Sequence, residues 1–329
     1  MSQPKFAKDF DTARTEAFGN RMEELFNQMG LVLMLDIGHK TGLLDVLGGL
    51  PPATSGEIAQ AAGLDERYLR EWLGCLACAE VVEYVPETAM FALPAEHAVW
   101  LTRNRPGFAP GSGFPGADLL AETFGILSEV QPLVTDCFRD GGGVPYSVYG
   151  RFHELMVRDR NAFFDRILRP SVLPLFPGWG KAMAGGAAVA DFGCGSGHVL
   201  HLLAQAYPVS EFVGYDISPA DIGRARTAAS RLGLVNVRFH LADVAGLALE
   251  GVYDYALAFD SIHDLAQPAQ ALRRVARSLK PGGALVMQEF AASSRLEENL
   301  DHPLGPWLYA QSVLYCMTVS LSQGGAGLG

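Results

Sequence analysis

The stretch "AAVADFGCGSGHVLHLLAQAY", residues 187–207, constrains the fold more than any other part of the chain. A short apolar run closes on Asp191, three glycines follow at every second position (Gly193, Gly195, Gly197), and a helical pattern starts at His198. A strand that passes through so bare a turn into a helix lets a nucleotide-like ligand approach the backbone closely. The alternation continues, with strands expected at 187–192, 211–216, 235–240, 253–259 and 283–289 and helices between them. Such alternation demands right-handed crossovers, so this half should be an α/β, doubly wound, Rossmann-like parallel sheet. A dinucleotide turn would want its third glycine at 198, where this chain has His198.

The chain has 329 residues, about twice the ~150 expected of one domain. We expect a mainly helical winged-helix dimerisation domain over 1–102, a linker and helical substrate-side region over 103–183, and the Rossmann-like domain over 184–329. Helices are expected from Glu16 to Leu50, then a helix, a turn at Gly63, a second helix from Asp65, and two strands around "PET" as the wing. A winged helix could read DNA. Here its second helix carries Asp65, Glu66, Glu71 and Glu80 against Arg67 and Arg70, and the chain's net charge is −11, the wrong sign for phosphates. No nucleic-acid partner is expected. An exposed stripe of Phe26, Leu31, Leu33 and Met34 would be covered by a second copy, making a homodimer.

No apolar run reaches the roughly 18 residues of a membrane span, and the N-terminal residues have no signal-peptide core, so we expect no membrane partner and a cytoplasmic protein. The five cysteines form no regular framework; Cys75 and Cys78 read as buried apolar helix residues rather than metal or redox ligands, and no metal site is expected. The aromatic residues Phe124, Phe138, Tyr146, Tyr149, Phe152, Phe163, Phe164 and Phe176 of the helical middle read mostly as core, with a few left to face a ligand.

"DFGCGSG" resembles motif I of the class I S-adenosylmethionine-dependent methyltransferases, and four later stretches fall where that family would place them. The resemblance implies S-adenosyl-L-methionine as cofactor. Asp191 would hold its ammonium and Gly193, Gly195 and Gly197 its backbone side. Asp216 ends "FVGYD" and would accept the ribose hydroxyls, with Ile217 beside it; Asp243 of "RFHLADV" would lie near the adenine, flanked by Ala242 and Val244. Phe259, at the fourth strand's end, completes the cofactor set, and "LKPGG" precedes the fifth strand.

With the winged helix in front, the chain resembles small-molecule O-methyltransferases and related actinobacterial methyltransferases. In those enzymes a histidine-aspartate pair after the fourth strand supplies the base; here the pair is His263 and Asp264, with Glu289 or Asp264 orienting the imidazole. At its ordinary pKa of about 6.5 that imidazole would be mainly neutral near pH 7. Leu265 and Phe259 stand where the plant enzymes carry tryptophan and lysine. That family also adds a strand hairpin after the fifth strand, whereas this chain shows a helical stretch, "PLGPWLYAQSVLYCMTVSL", so either the hairpin is absent from this sequence or something else covers the sheet edge. The implied function is methyl transfer to a small aromatic or hydrophobic acceptor at a hydroxyl. The alternatives are a C- or N-methyltransferase on the same scaffold, or a non-catalytic cofactor-binding or DNA-binding regulator.

Overall fold

The computed structural model describes residues 10–103, 117–176 and 178–329; most of the glycine- and proline-rich loop expected at 103–117 lies outside the described residues. The chain separates into two compact units, Met1–Gly125 and Ile126–Gly329.

The first unit is the winged helix with a long leading helix. It comprises α1 (Thr12–Thr41), α2 (Leu43–Gly49), β1 (Ala53–Thr54), α3 (Ser55–Ala62), α4 (Glu66–Cys78), β2 (Glu83–Val85), β3 (Met90–Ala92), α5 (Ala95–Leu101) and the first part of α6 (Ala117–Leu127). The helix-turn-helix is fixed by local chemistry. Thr54 and Glu57 form a reciprocal capping box on α3, Gly63 closes it at φ 67°, and the Asp65 carboxylate caps α4. Leu44, Ile58, Leu73 and Leu76 fill the core, and the Trp72 indole N–H donates to the Met34 carbonyl at 2.7 Å, tying α4 to α1.

That packing alters two expectations. Leu31 and Met34 rest against this core instead of joining an exposed stripe; the open face of α1 carries Phe18, Leu25, Phe26, Met29 and Leu33. Cys78, at the end of α4, is exposed, so of this pair only Cys75 is partly buried; all five cysteines are free thiols.

The second unit holds α7 (Gln131–Asp140), α8 (Gly150–Ile167), α9 (Trp179–Ala184), β4 (Ala188–Phe192), α10 (His198–Ala206), β5 (Glu211–Asp216), α11 (Pro219–Arg231), β6 (Val237–Leu241), β7 (Tyr253–Phe259), α12 (Pro268–Ser278), β8 (Leu279–Gln288), α13 (Gly305–Gln311) and α14 (Met317–Ser322). The five strands are parallel in the order β6-β5-β4-β7-β8. Alternate residues serve opposite faces. Val189 packs with Leu200, Phe212 and Leu257 on one side, Ala190 with Tyr215, Ala256 and Val275 on the other.

β5 and β7 have the expected bounds, while β6 begins two residues late. The "LKPGG" residues form a bulge inside β8 instead of a turn before it: Tyr253 pairs with Leu279 but Tyr255 with Ala284. No described strand follows β8. The last helical stretch instead runs from α13 through a π-turn at Ser312–Cys316 into α14. It is tied to the loop after β7, where Ser320 Oγ donates to Leu265 O at 3.0 Å, and to the 144–149 segment, where the Tyr149 hydroxyl donates to Leu314 O at 2.8 Å. Sheet order reverses at β4, so the crevice at the carboxyl ends of β4 and β7 is where an open α/β sheet takes its ligand.

Candidate active site

A cavity of about 280 Å³ opens at that crevice. Its floor is the glycine turn. Gly193, Gly195 and Gly197 all have positive φ (84°, 51° and 77°), and a side chain at Gly193 would collide with Ser261, one at Gly197 with the Phe239 ring. A Cβ at Gly195 would meet nothing, so that position leaves open room for a ligand. The turn is clamped to the next strand. Gly193 and Cys194 donate to the Tyr215 carbonyl at 2.8 and 3.1 Å, and Gly195 donates to Asp216 Oδ2 at 2.8 Å. The other Asp216 oxygen accepts from Ser218 N–H at 2.8 Å. Burial raises the Asp216 pKa against these donors.

Asp191 is buried with Oδ1 lacking any partner, and burial, with Asp216 nearby, pushes its pKa up to about 8. Ala242, Asp243 and Val244 line the wall beyond β6; Asp243 also caps the short turn that follows, accepting from Ala245 N–H at 2.9 Å. Val244 is buried in the cluster that holds Ala190 and Tyr215, and the exposed Ile217 and half-buried Phe259 line the cavity from the ends of β5 and β7.

Across from the turn, the β7 exit delivers His263. Its Nδ1 hydrogen-bonds Glu289 Oε2, while Glu289 Oε1 accepts from Ile262 N–H at 2.8 Å, so one carboxylate at the end of β8 fixes both the ring and its backbone. His263 Nε2 lies 3.3 Å from Asp264 Oδ1. Sequence reasoning left open which acid orients the histidine; the structure puts Glu289 on Nδ1 and Asp264 beside Nε2. A proton on Nδ1 suits the contact with Glu289 and leaves Nε2 as the nitrogen beside Asp264. Burial pulls the imidazolium down, but Glu289, Asp264 and Asp260 outweigh it, and the pKa of His263 lies above its ordinary value. Burial also raises Asp264, to about 6.

The opposite wall is aromatic. Tyr146 stacks on His153 at 3.8 Å, His153 Nε2 meets the Tyr315 hydroxyl at 3.1 Å, and Phe152, Phe164 and Phe290 complete it. Burial lowers the His153 pKa to about 4, so this ring stays uncharged. Of the middle-region aromatics, Phe138 instead projects from the surface.

Residues 184–312 match the family described as Methyltransferase domain, and residues 29–103 match the Rv2258c-like winged HTH domain. Over residues 184–312 the C-terminal unit matches a methyltransferase domain. It follows a winged helix, and its fold is that of class I S-adenosylmethionine-dependent methyltransferases. The chain is 37% identical over 121 residues to trans-aconitate 2-methyltransferase of Methylobacterium nodulans, covering 37% of this chain and 42% of that one. It spans less than half the length of the curated relatives it matches. The mitomycin 7-O-methyltransferase MmcR superposes at TM-score 0.62 and 19% identity over 94% of this chain and 88% of that one. Human N-acetylserotonin methyltransferase, solved with its cofactor, gives 0.60 and 17% over the same shares.

The methyltransferase domain's residues fit such a cofactor. An orphaned buried carboxylate, Asp191, suits an ammonium group; Asp216, held by two backbone donors, keeps acceptor capacity for hydroxyls; the open space at Gly195 admits the chain between them. Sequence reasoning missed Asp260, Arg160, Gln311 and Tyr315, which also line the cavity. Asp260 directly follows β7, and the rule that ligands sit at carboxyl ends of strands would have found it. The other three stand on α8 and around the π-turn, which no local pattern announces.

Proposed function

We propose that this protein moves the methyl group of S-adenosylmethionine to a hydroxyl of a small, largely apolar acceptor, with His263 as general base. The observation that carries this reading is a histidine whose Nδ1 is fixed by Glu289 and whose Nε2 borders a cavity shared with the glycine turn. Asp191, Asp216 and Asp243, with Gly193, Gly195 and Gly197, hold the cofactor, assisted by Ile217, Val244 and Phe259. When bound, the cofactor supplies an electrophilic methyl on a sulfonium. Methyl transfer is an in-line displacement, so positioning supplies much of the rate and one proton must leave the hydroxyl. His263 Nε2 takes that proton, and Glu289 and Asp264 stabilise the imidazolium. The aromatic wall of Tyr146, Phe152 and Phe164 excludes water and holds a flat acceptor.

The test is transfer of labelled methyl to a panel of hydroxyl-bearing aromatics. Replacing His263 with Ala should lower turnover roughly 10²–10⁴-fold while cofactor affinity stays within about twofold. A C- or N-methyltransferase with no need of a base would keep its rate.

The winged helix serves association in this proposal. On α4, Arg67 pairs with Glu71 at 2.6 Å and Arg70 with Glu66 at 3.4 Å, so its cations are answered within the helix and not offered to phosphates. A second copy covers the Phe18, Leu25, Phe26, Met29 and Leu33 face of α1, whose three- and four-residue spacing suits a helix pair. Light scattering should report a dimer, and Phe26→Glu with Met29→Glu should shift it to monomer. The protein works in the cytoplasm on this view; no described helix is long and apolar enough to cross a membrane.

A further inference from the structure

The acceptor half of the cavity has a charge and hydrogen-bonding character that the methyl-transfer reading leaves unused. Gln311 ends α13 and lines the cavity at 6% exposure. Its Oε1 is buried without a partner among the described residues. A buried amide oxygen left unpaired is unfavourable unless something else satisfies it, and the site is where a ligand's polar group would do so. The π-turn begins at the next residue and brings Tyr315 and Cys316 to the same cavity, so Gln311 stands on a locally irregular helix of the kind found at functional sites.

Charge points the same way. Arg160 is the one lysine or arginine among the described lining residues, and its guanidinium is already engaged by Asp260 at 2.8 Å and Asp159 at 3.9 Å. Asp260 and Asp264 line the acceptor side, with Glu289 behind His263. A carboxylate acceptor would find no unengaged cation there and would face these acids across a short distance, which is repulsive in a partly desolvated site.

Resting on the hydroxyl-methylation reading, we propose that Gln311 reads a second hydrogen-bonding group on an uncharged acceptor, and that the acidic lining rejects carboxylates. This separates the chain from its relative named trans-aconitate 2-methyltransferase, whose named substrate is a polycarboxylate. Either orientation of the amide serves, because a hydroxyl both donates and accepts.

The experiment uses the full chain saturated with S-adenosylhomocysteine and three matched probes: 2,3-dihydroxynaphthalene, 2-naphthol and 3-hydroxy-2-naphthoate. Binding is measured by calorimetry, apart from turnover. The diol should bind about tenfold or more tighter than the carboxylate, and tighter than the mono-ol. In Gln311→Leu the diol should fall to the level of the mono-ol, whose own affinity changes less than about twofold; Gln311→Met provides a second apolar replacement should the first unfold. Preferential binding of the carboxylate, an unchanged diol preference in both variants, or binding of none of the three would overturn the proposal. The same series in His263→Ala separates the two ideas: selection among probes survives there even if the base lies elsewhere.

Discussion

The two ends of the cavity are built by different means. The cofactor end is mostly backbone: one contiguous turn from Asp191 to Gly197, clamped by the Tyr215 carbonyl and the Asp216 carboxylate on the neighbouring strand. The acceptor end is mostly side chain, assembled from α8, the β7 exit, Phe290 and the π-turn, with distant segments joined by bonds such as Tyr149 to Leu314, 165 residues apart. Backbone geometry can be preserved through wide changes of sequence, whereas an assembly of separate side chains can be re-cut one residue at a time. The difference predicts a conserved chemistry with a readily altered acceptor.

If the ends are separable, changes at one should be silent in the other's readout. The largest effect belongs to the acceptor end, where loss of His263 should cut turnover and leave cofactor binding in place. Next comes Asp216→Ala, which would remove the proposed ribose-hydroxyl contacts, worth roughly 1.5–3 kcal/mol each, and free the Gly195 N–H it holds. We expect cofactor affinity to fall at least tenfold by calorimetry. Acceptor-probe binding to the ligand-free chain should be unchanged, and a parallel loss there would break the comparison.

Asp191 offers a pH test of the cofactor end. Its pKa is raised to about 8, so its contribution to the ligand-free domain's stability is full below the ordinary carboxyl range and is lost as pH climbs toward that value. An ammonium ligand wants the ionised form. Cofactor affinity should therefore rise as pH approaches 8, by up to about tenfold per unit, with proton release on binding; Asp191→Asn should flatten the slope. Calorimetry in buffers of different ionisation enthalpy reads this directly.

The smallest effect is at Glu289. Because the carboxylates hold the His263 pKa up, turnover should climb with pH through a value above 6.5. Glu289→Gln should move that acid limb to lower pH, since an opposing charge has gone, and lower the plateau because the ring tautomer is no longer enforced. A pH-rate profile unmoved by the substitution would show that the pair does not set the base.

Legibility followed the same division. The parallel sheet, its strand bounds at β5 and β7, and the positions of Asp191, Asp216 and the three glycines could be read from sequence because period, spacing and backbone need coincide there. His263 was readable through the family resemblance, with Glu289 and Asp264 left as rival partners. Leu31 and Met34 were misassigned because a helix with apolar residues all round does not say which face finds an intramolecular partner. The bulge in β8 and the exposure of Cys78 depend on register and helix length, and Gln311 on a π-turn, none of which leaves a local mark.

Ser261 bears on how the two ends stay in step. Its side chain fills the space that a side chain at Gly193 would need, and its hydroxyl donates to the Phe192 carbonyl at 2.9 Å, two residues from His263 on one side and one from the glycine turn on the other. The exits of β4 and β7 are thereby pinned together at a single rivet. A misplacement near 1 Å is enough to cost about a hundredfold in a positioned reaction, so a site whose donor floor and proton acceptor could drift independently would lose rate with every thermal fluctuation. Here Ser261 joins the strand exit that leads into the glycine turn to the one that leads into His263.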